Sequence, residues 1–287
     1  MPTHSAPTVK RRRLAAELRR HRDASGLTLD QVAERLEWSN AKISRIENAR
    51  VSVLPRDVKF LLGVYGVDGE TRDFLVTLAR EARQKGWWHS YGDAIPEWFE
   101  VYVGLESDAT SIHSYEAEHV PGPLQTEDYA RAVFHGFLFG DEEEIEKRVA
   151  VRMARRERLV ASGTPKFWVV VNEAVLRRVV GGPDVMRVQL EYLAEVARSP
   201  HVTLQVLPFS AGAHPAMSGS FVILQFPEPT DPHVVYLEAQ TGGLYLEKKP
   251  EIERYSLAFD HLRAAALHPD DSRALISRVA GELARST

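Results

Sequence analysis

The stretch SNAKISRIENAR, residues 39–50, gathers side chains that can recognise rather than react. Asn40 can pair with an adenine edge, Arg45 can grip a guanine through two parallel N–H groups, and Ala41 can touch a thymine methyl. Lys42 and Ser44 flank them with further donors. Thr28 and Ser39, at two helix starts, and Arg50 beyond the third helix are candidates for phosphate contacts that fix register. Such chemistry needs a helix narrow enough for a major groove and neighbours that hold its polar side outward.

The preceding residues supply that support. Val9 to Ala24 reads as a helix with Leu14 and Leu18 on one face and Arg12, Arg13, Arg19, Arg20 and Arg22 around the rest; it ends at Gly26. In TLDQVAERL, Leu29, Val32, Ala33 and Leu36 form an apolar stripe, and Thr28 with Gln31 fits a capping box. After a break at Glu37 and Trp38, Ser39 caps a third helix whose Ile43 and Ile46 face inward. Leu54, Val58, Leu61, Leu62 and Tyr65, with Pro55 near the helix start, close the bundle. This is the pattern of a helix-turn-helix. Spacing alone leaves open a plain bundle whose third helix is polar because it faces water.

Charge separates the two ends of the chain. Residues 1–66 hold 13 Lys and Arg against 7 Asp and Glu, giving +6, while the remainder holds 23 against 33, giving −10. A basic segment on an acidic body suits a module that binds a polyanion carried by one that does not. The 287 residues allow two domains, with 44% hydrophobic residues for their cores. Without cysteine the chain can form no disulfide and no thiolate. No apolar run approaches a membrane span and no apolar segment follows the N-terminal basic cluster, so the expected location is the cytoplasm, at the nucleoid.

Asp68 to Gln84 reads as a further helix, with Phe74, Leu75, Leu78 and Ala82 inward, and KGWWHSYGDAIPEW then marks a junction. The domains are therefore expected at 1–85 and 98–287, with an aromatic junction at 86–97. The second part mixes periods. TSIHSYEAEHV, KFWVVVNE, HVTLQVLPF, GSFVILQF, HVVYLEA and GLYLEKK read as strands; Thr126 to Phe134, Asp141 to Val160, Val185 to Arg198, Glu251 to Ala266 and Asp270 to Ala284 read as helices. The expected fold is an all-α N-terminal helix-turn-helix bundle followed by a larger α+β domain with a mixed sheet.

Two resemblances bear on these segments. GLTLDQVAERLEWSNAKISRIENAR with LPRDVKFLLGVYGV resembles the lambda-repressor-like, Xre-type helix-turn-helix family over about the first quarter of the chain. It implies base-reading places for Asn40, Ala41 and Arg45, flanked by Lys42 and Ser44. Leu29 departs from the polar residue usual at its position, and Ala49 replaces the usual glycine after the recognition helix. HVPGPLQTEDYARAVF, VVGGPDVMRVQLEYLAEVA, LQVLPFSAGAHPAMSGSFVILQF, VVYLEAQTGGLYLE and YSLAFDHLRAAAL are similar to the C-terminal domain of the WhiJ-like regulators of actinomycetes. This second resemblance implies a developmental, antibiotic-linked or antitoxin-like regulator, often encoded beside a small partner protein.

Other chemistry is weakly supported. His113 and His119 would share one face of a strand, with Glu116 and Glu118 on the other, which makes a poor metal set. SAGAHPAMSGSF lacks the phosphate-loop spacing, and Ser218 or Ser220 beside His214 lacks a nucleophile elbow. Arg148, Arg152, Arg155, Arg156 and Arg158 could bind DNA or an acidic partner, or form a salt-bridged surface with nearby glutamates. The expectation is a DNA-binding protein rather than an enzyme, with no catalytic residue, cofactor or metal. Its partners would be double-stranded DNA, a second copy in a homodimer, and possible unknown partners: a small protein or a small-molecule effector. No membrane partner is expected.

Overall fold

The computed structural model describes residues 9–83, 86–137, 140–161, 165–227 and 233–285. Residues 1–8, Gln84 and Lys85, which belong to the expected basic segment, helix and junction, lie outside them. The chain divides into two compact units. One reaches Ser90 and takes in Glu97–Asp108; the other takes Tyr91–Pro96 and runs on from Ala109.

The first unit is all helical. Helices α1 (Val9–Ala24), α2 (Leu29–Leu36), α3 (Asn40–Glu47), α4 (Pro55–Tyr65) and α5 (Gly69–Glu81) enclose one core. Leu14, Leu18, Val32, Ile43, Ile46, Val58, Leu61, Leu62 and Leu75 all meet there. Phe74 departs from expectation: it is 48% exposed, while Val76 and Ala79 turn inward beside Leu75 and Leu78. The Arg13 guanidinium covers its ring at 5.1 Å, so the phenyl finds a partner outside the core. Helix α6 (Glu97–Asp108) also belongs to this unit, with Tyr102, Val103 and Leu105 buried.

The second unit is built on a six-stranded sheet: β1 (Ser111–Glu116), β2 (Lys166–Asn172), β3 (Val202–Leu207), β4 (Phe221–Gln225), β5 (Val234–Ala239) and β6 (Gly242–Leu246). Its order is β3-β2-β1-β4-β5-β6. The first three strands are parallel and the rest antiparallel. Helices α7 (Glu127–Gly136) and α8 (Glu142–Arg156) connect β1 to β2; α9 (Glu173–Arg177) and α10 (Pro183–Val196) connect β2 to β3. Two more, α11 (Lys249–Ala265) and α12 (Pro269–Ala284), follow β6. Parallel neighbours need such crossovers, which explains why helical segments separate the first strands and not the last.

On one face Tyr115, Val170, Phe221, Ile223 and Val235 pack against Phe259 and Leu262 of α11. The opposite face is equally dry at Ile112, Val169, Val171, Leu204 and Val206. At the β3 edge, the Val206 amide donates to Ser272 Oγ at 2.9 Å and the Val206 carbonyl accepts from the Leu267 amide at 2.9 Å. The end of α11 and the start of α12 thus occupy that edge, which would otherwise template another strand. Among the described residues, no strand lies beyond β6.

Candidate nucleic-acid interface

The helix that the sequence singles out for recognition is α3, which packs against α2. Thr28 closes a capping box: its Oγ1 accepts from the Gln31 amide at 3.2 Å, and its own amide donates to Gln31 Oε1 at 2.9 Å. Ser39 Oγ accepts from the Lys42 amide at 3.2 Å and starts α3. Between the helices the chain reverses at Glu37, whose φ of 54° places a non-glycine residue in the left-handed region. Ala49, where the resemblance expects glycine, also adopts φ 54°.

Ile43 and Ile46 anchor α3 at 0% and 3% exposure, so its other side faces out. Ala41 and Arg45 are exposed, and the Arg45 side chain makes no hydrogen bond or ion pair among the described residues, although its carbonyl accepts from the Arg50 amide at 2.8 Å. Asn40 donates through Nδ2 to Asp30 Oδ1 at 2.5 Å, which ties the starts of α2 and α3 and orients the carboxamide. Ser44 is half-buried; its carbonyl accepts from Asn48 Nδ2 at 2.7 Å. Lys42 is drawn inward instead: its Nζ sits 3.3 Å from the centre of the Trp38 ring and 3.2 Å from Asp57 Oδ2. Thr28 and Arg50 are exposed beside this surface, and Ser39 stands at the tip of α3.

The brace behind α3 is not visible in sequence spacing. Arg22, at the end of α1, donates through Nε and Nη2 to Glu47 at 2.9 and 3.0 Å, and Tyr65 OH donates to the same carboxylate at 3.3 Å. The side chains of Arg22 and Glu47 are only 12% and 3% exposed. The Glu47 hydrogen bonds hold the Arg22 guanidinium above its usual range. Burial, aided by Glu47, raises the Tyr65 phenol. Because the partners lie 25 residues apart in sequence, no local pattern announces them.

The second unit separates the candidate metal group. β1 ends at Glu116, so His119 is not on the strand with His113. His113 instead stacks on Phe259 at 4.8 Å, and burial lowers its pKa. No cluster of three or more metal-binding side chains exists among the described residues. Ser220 Oγ accepts from the Ala117 amide at 3.0 Å, while His214 Nε2 lies 3.4 Å from Tyr115 OH. On α8, Arg148 pairs with Glu144 at 2.5 Å, as a salt-bridged surface would. Arg155, however, is buried at 5% exposure, so the arginine face is partly interior.

A helix-turn-helix bundle followed by a mixed-sheet unit fits the class of DNA-binding regulators. Residues 13–75 match the family described as a helix-turn-helix domain. Residues 99–278, more than half of the chain, match the family described as a domain of unknown function (DUF5753), and the chain belongs to that family. No similar protein was found among the curated proteins, and no similar chain among the solved structures. No helix of the described residues is long and apolar enough to cross a membrane.

Proposed function

We propose that the protein is a sequence-specific, DNA-binding transcription regulator of the Xre type with a WhiJ-like C-terminal domain. It acts in the cytoplasm, at the nucleoid, as a homodimer on an operator with two-fold symmetry, its half-sites about one helical turn apart. The observation that carries this reading is the unpartnered, exposed Arg45 on a short helix whose apolar side is buried through Ile43 and Ile46. Asn40, Ala41, Ser44 and Arg45 read base edges. Thr28, Ser39 and Arg50 contact phosphates, and Lys42 serves mainly to fasten α3 to Trp38 and Asp57. The second domain joins the two copies or receives a signal. This function needs no catalytic group, cofactor or metal.

Genome-wide immunoprecipitation in the host, followed by binding to operator variants, tests the reading. Arg45→Ala should lose about 1–3 kcal/mol of operator affinity and relax preference at one base pair. Binding falls steeply with salt for both proteins. An Arg45→Ala profile that matches wild type across all operator variants removes Arg45 as a reader.

A second reading draws support from an open groove of about 650 Å³ beside α8, lined by Glu127, Glu146, Met153, Arg156, Glu157 and Tyr192. In that reading the domain holds a small protein, as an antitoxin does, and DNA binding serves autoregulation. A stoichiometric small protein that co-purifies from the host and leaves when Met153 and Tyr192 are altered favours it.

A further inference from the structure

Among its described residues the second unit buries two charged side chains, Glu116 and Arg155. Ser114 pairs with Val222, and Val222 with Tyr236. Carried two residues further, this register sets Glu116, Ser220 and Glu238 in one row on one face of the sheet. Glu116 is buried and accepts from Ser114 Oγ at 3.1 Å. Glu238, at the exposed end of the row, accepts from Tyr236 OH at 3.1 Å.

The chain that leaves β1 turns at residues 121–125 and lies on α8. A Cβ at Gly122 would come 3.2 Å from Arg155 Nη1 and 3.6 Å from Arg152 Nε, so the turn rests directly on two guanidinium groups. Arg152 donates through Nη1 to Gln125 Oε1 at 2.7 Å and lies 4.1 Å from the centre of the Phe134 ring. Its Nε is closed off from solvent and has no hydrogen-bond partner. The side chain as a whole is half-buried, so the guanidinium is lodged in the interior but not sealed. Among the described residues, Arg152 has no carboxylate within ion-pair distance.

Electrostatics agrees with this geometry. Burial, reinforced by Arg155, lowers the Arg152 pKa to about 9. Burial also raises the Glu116 pKa, which biases the nearby carboxyl toward its neutral form. Glu238 and Glu116 act on Arg152 only from beyond ion-pair distance, so in direct contact the withdrawn cation meets one amide oxygen and one ring, and an anion seated on it would relieve the cost of its burial.

We propose that Arg152, with Arg155 and the 121–125 turn, forms a binding site for a small ligand bearing an oxyanion, either a carboxylate or a phosphate. The planar fork of Arg152 suits either group, and its depth under the turn favours a small molecule over a polymer. Glu116 and Glu238 line the same space and select ligands whose remaining groups donate hydrogen bonds. This inference rests on the reading of the second domain as a receiver of signals.

Isothermal titration calorimetry of the full chain, at constant ionic strength, with inorganic phosphate and separately with acetate, tests it. One site per chain for at least one anion is expected, weakened tenfold or more in Arg152→Gln, intermediate in Arg152→Lys and unchanged in Arg148→Gln. The anion that binds identifies the ligand class. No binding of either anion to the wild type up to tens of millimolar overturns the site, whether or not the variants fold. Equal binding to wild type and Arg152→Gln overturns it too. If the anion binds but leaves operator affinity unchanged, the site stands and the signal reading falls.

Discussion

Arg22 and Arg152 are both withdrawn from solvent, yet their surroundings differ. Arg22 meets a buried carboxylate through two of its nitrogens and donates a further bond to the Leu27 carbonyl at 2.9 Å. Arg152 meets one amide oxygen and one ring, and keeps a buried N–H without an acceptor. A matched interior charge fixes geometry; here it locks α1, α3 and α4 together behind the exposed side of α3. An unmatched one stores unfavourable energy that another molecule can release. The first unit therefore leaves Arg45 exposed on α3 and pairs its interior arginine, whereas the second unit leaves an interior arginine without a carboxylate in contact among the described residues.

The largest test of this contrast breaks the matched pair. Glu47→Ala leaves Arg22 buried without its carboxylate and should destabilise the first unit by about 3–5 kcal/mol. Chemical denaturation followed by the fluorescence of Trp38, which lies in that unit, would read the loss. A change below about 1 kcal/mol would mean that the brace is dispensable.

The next test concerns the carboxyl near Arg152. Glu116 has a raised pKa because it is buried, so its protonated form is favoured in the folded state. Its favourable contribution is complete below the unfolded-state value, about 4.3, and is lost as pH rises through the folded value. The second unit of the wild type should therefore lose melting temperature relative to Glu116→Gln between pH 4 and neutrality, and the two curves should converge in acid. Parallel curves across this range would remove Glu116 as a buried titrating group.

The smallest effect sharpens the picture of the first unit. Ala49 sits at φ 54°, a conformation that glycine adopts without a Cβ penalty. Ala49→Gly should stabilise the unit by up to about 1 kcal/mol, with some of the gain returned to unfolded-chain entropy. Operator affinity should not change, because Ala49 is buried at 5% exposure. A destabilised variant would show that the Ala49 methyl matters more to packing than its backbone strain does.

Much of this architecture is legible in the sequence because periodicity survives folding. The six strand-like runs each contain one strand, and Thr28, Ser39 and Pro55 mark three helix starts. Helix α6 was hidden by composition. The aromatic, Gly and Pro composition of KGWWHSYGDAIPEW reads as a junction and draws attention from the helix that begins at its end, where Phe99 and Tyr102 stack at 5.3 Å on one side. On α8, i to i+4 spacing does account for Arg148 with Glu144 and Lys147 with Glu143. It gives no account of Arg152 and Arg155, because the turn that buries them arrives from residues 121–125. Lys42 shows the same limit at the interface: its position suggests a reader, but Asp57 and Trp38 claim its charge. Local pattern locates a face; only tertiary structure tells which charges on it are free.

The two edges of the sheet imply a rule of growth. The β3 side is occupied by Leu267 and Ser272, while β6 ends the sheet without a further strand among the described residues. If two copies join through β6, the combined sheet has an occupied edge at each end and nowhere to add a third. Such pairing would terminate itself, because the joined sheet would present no open edge for a further copy.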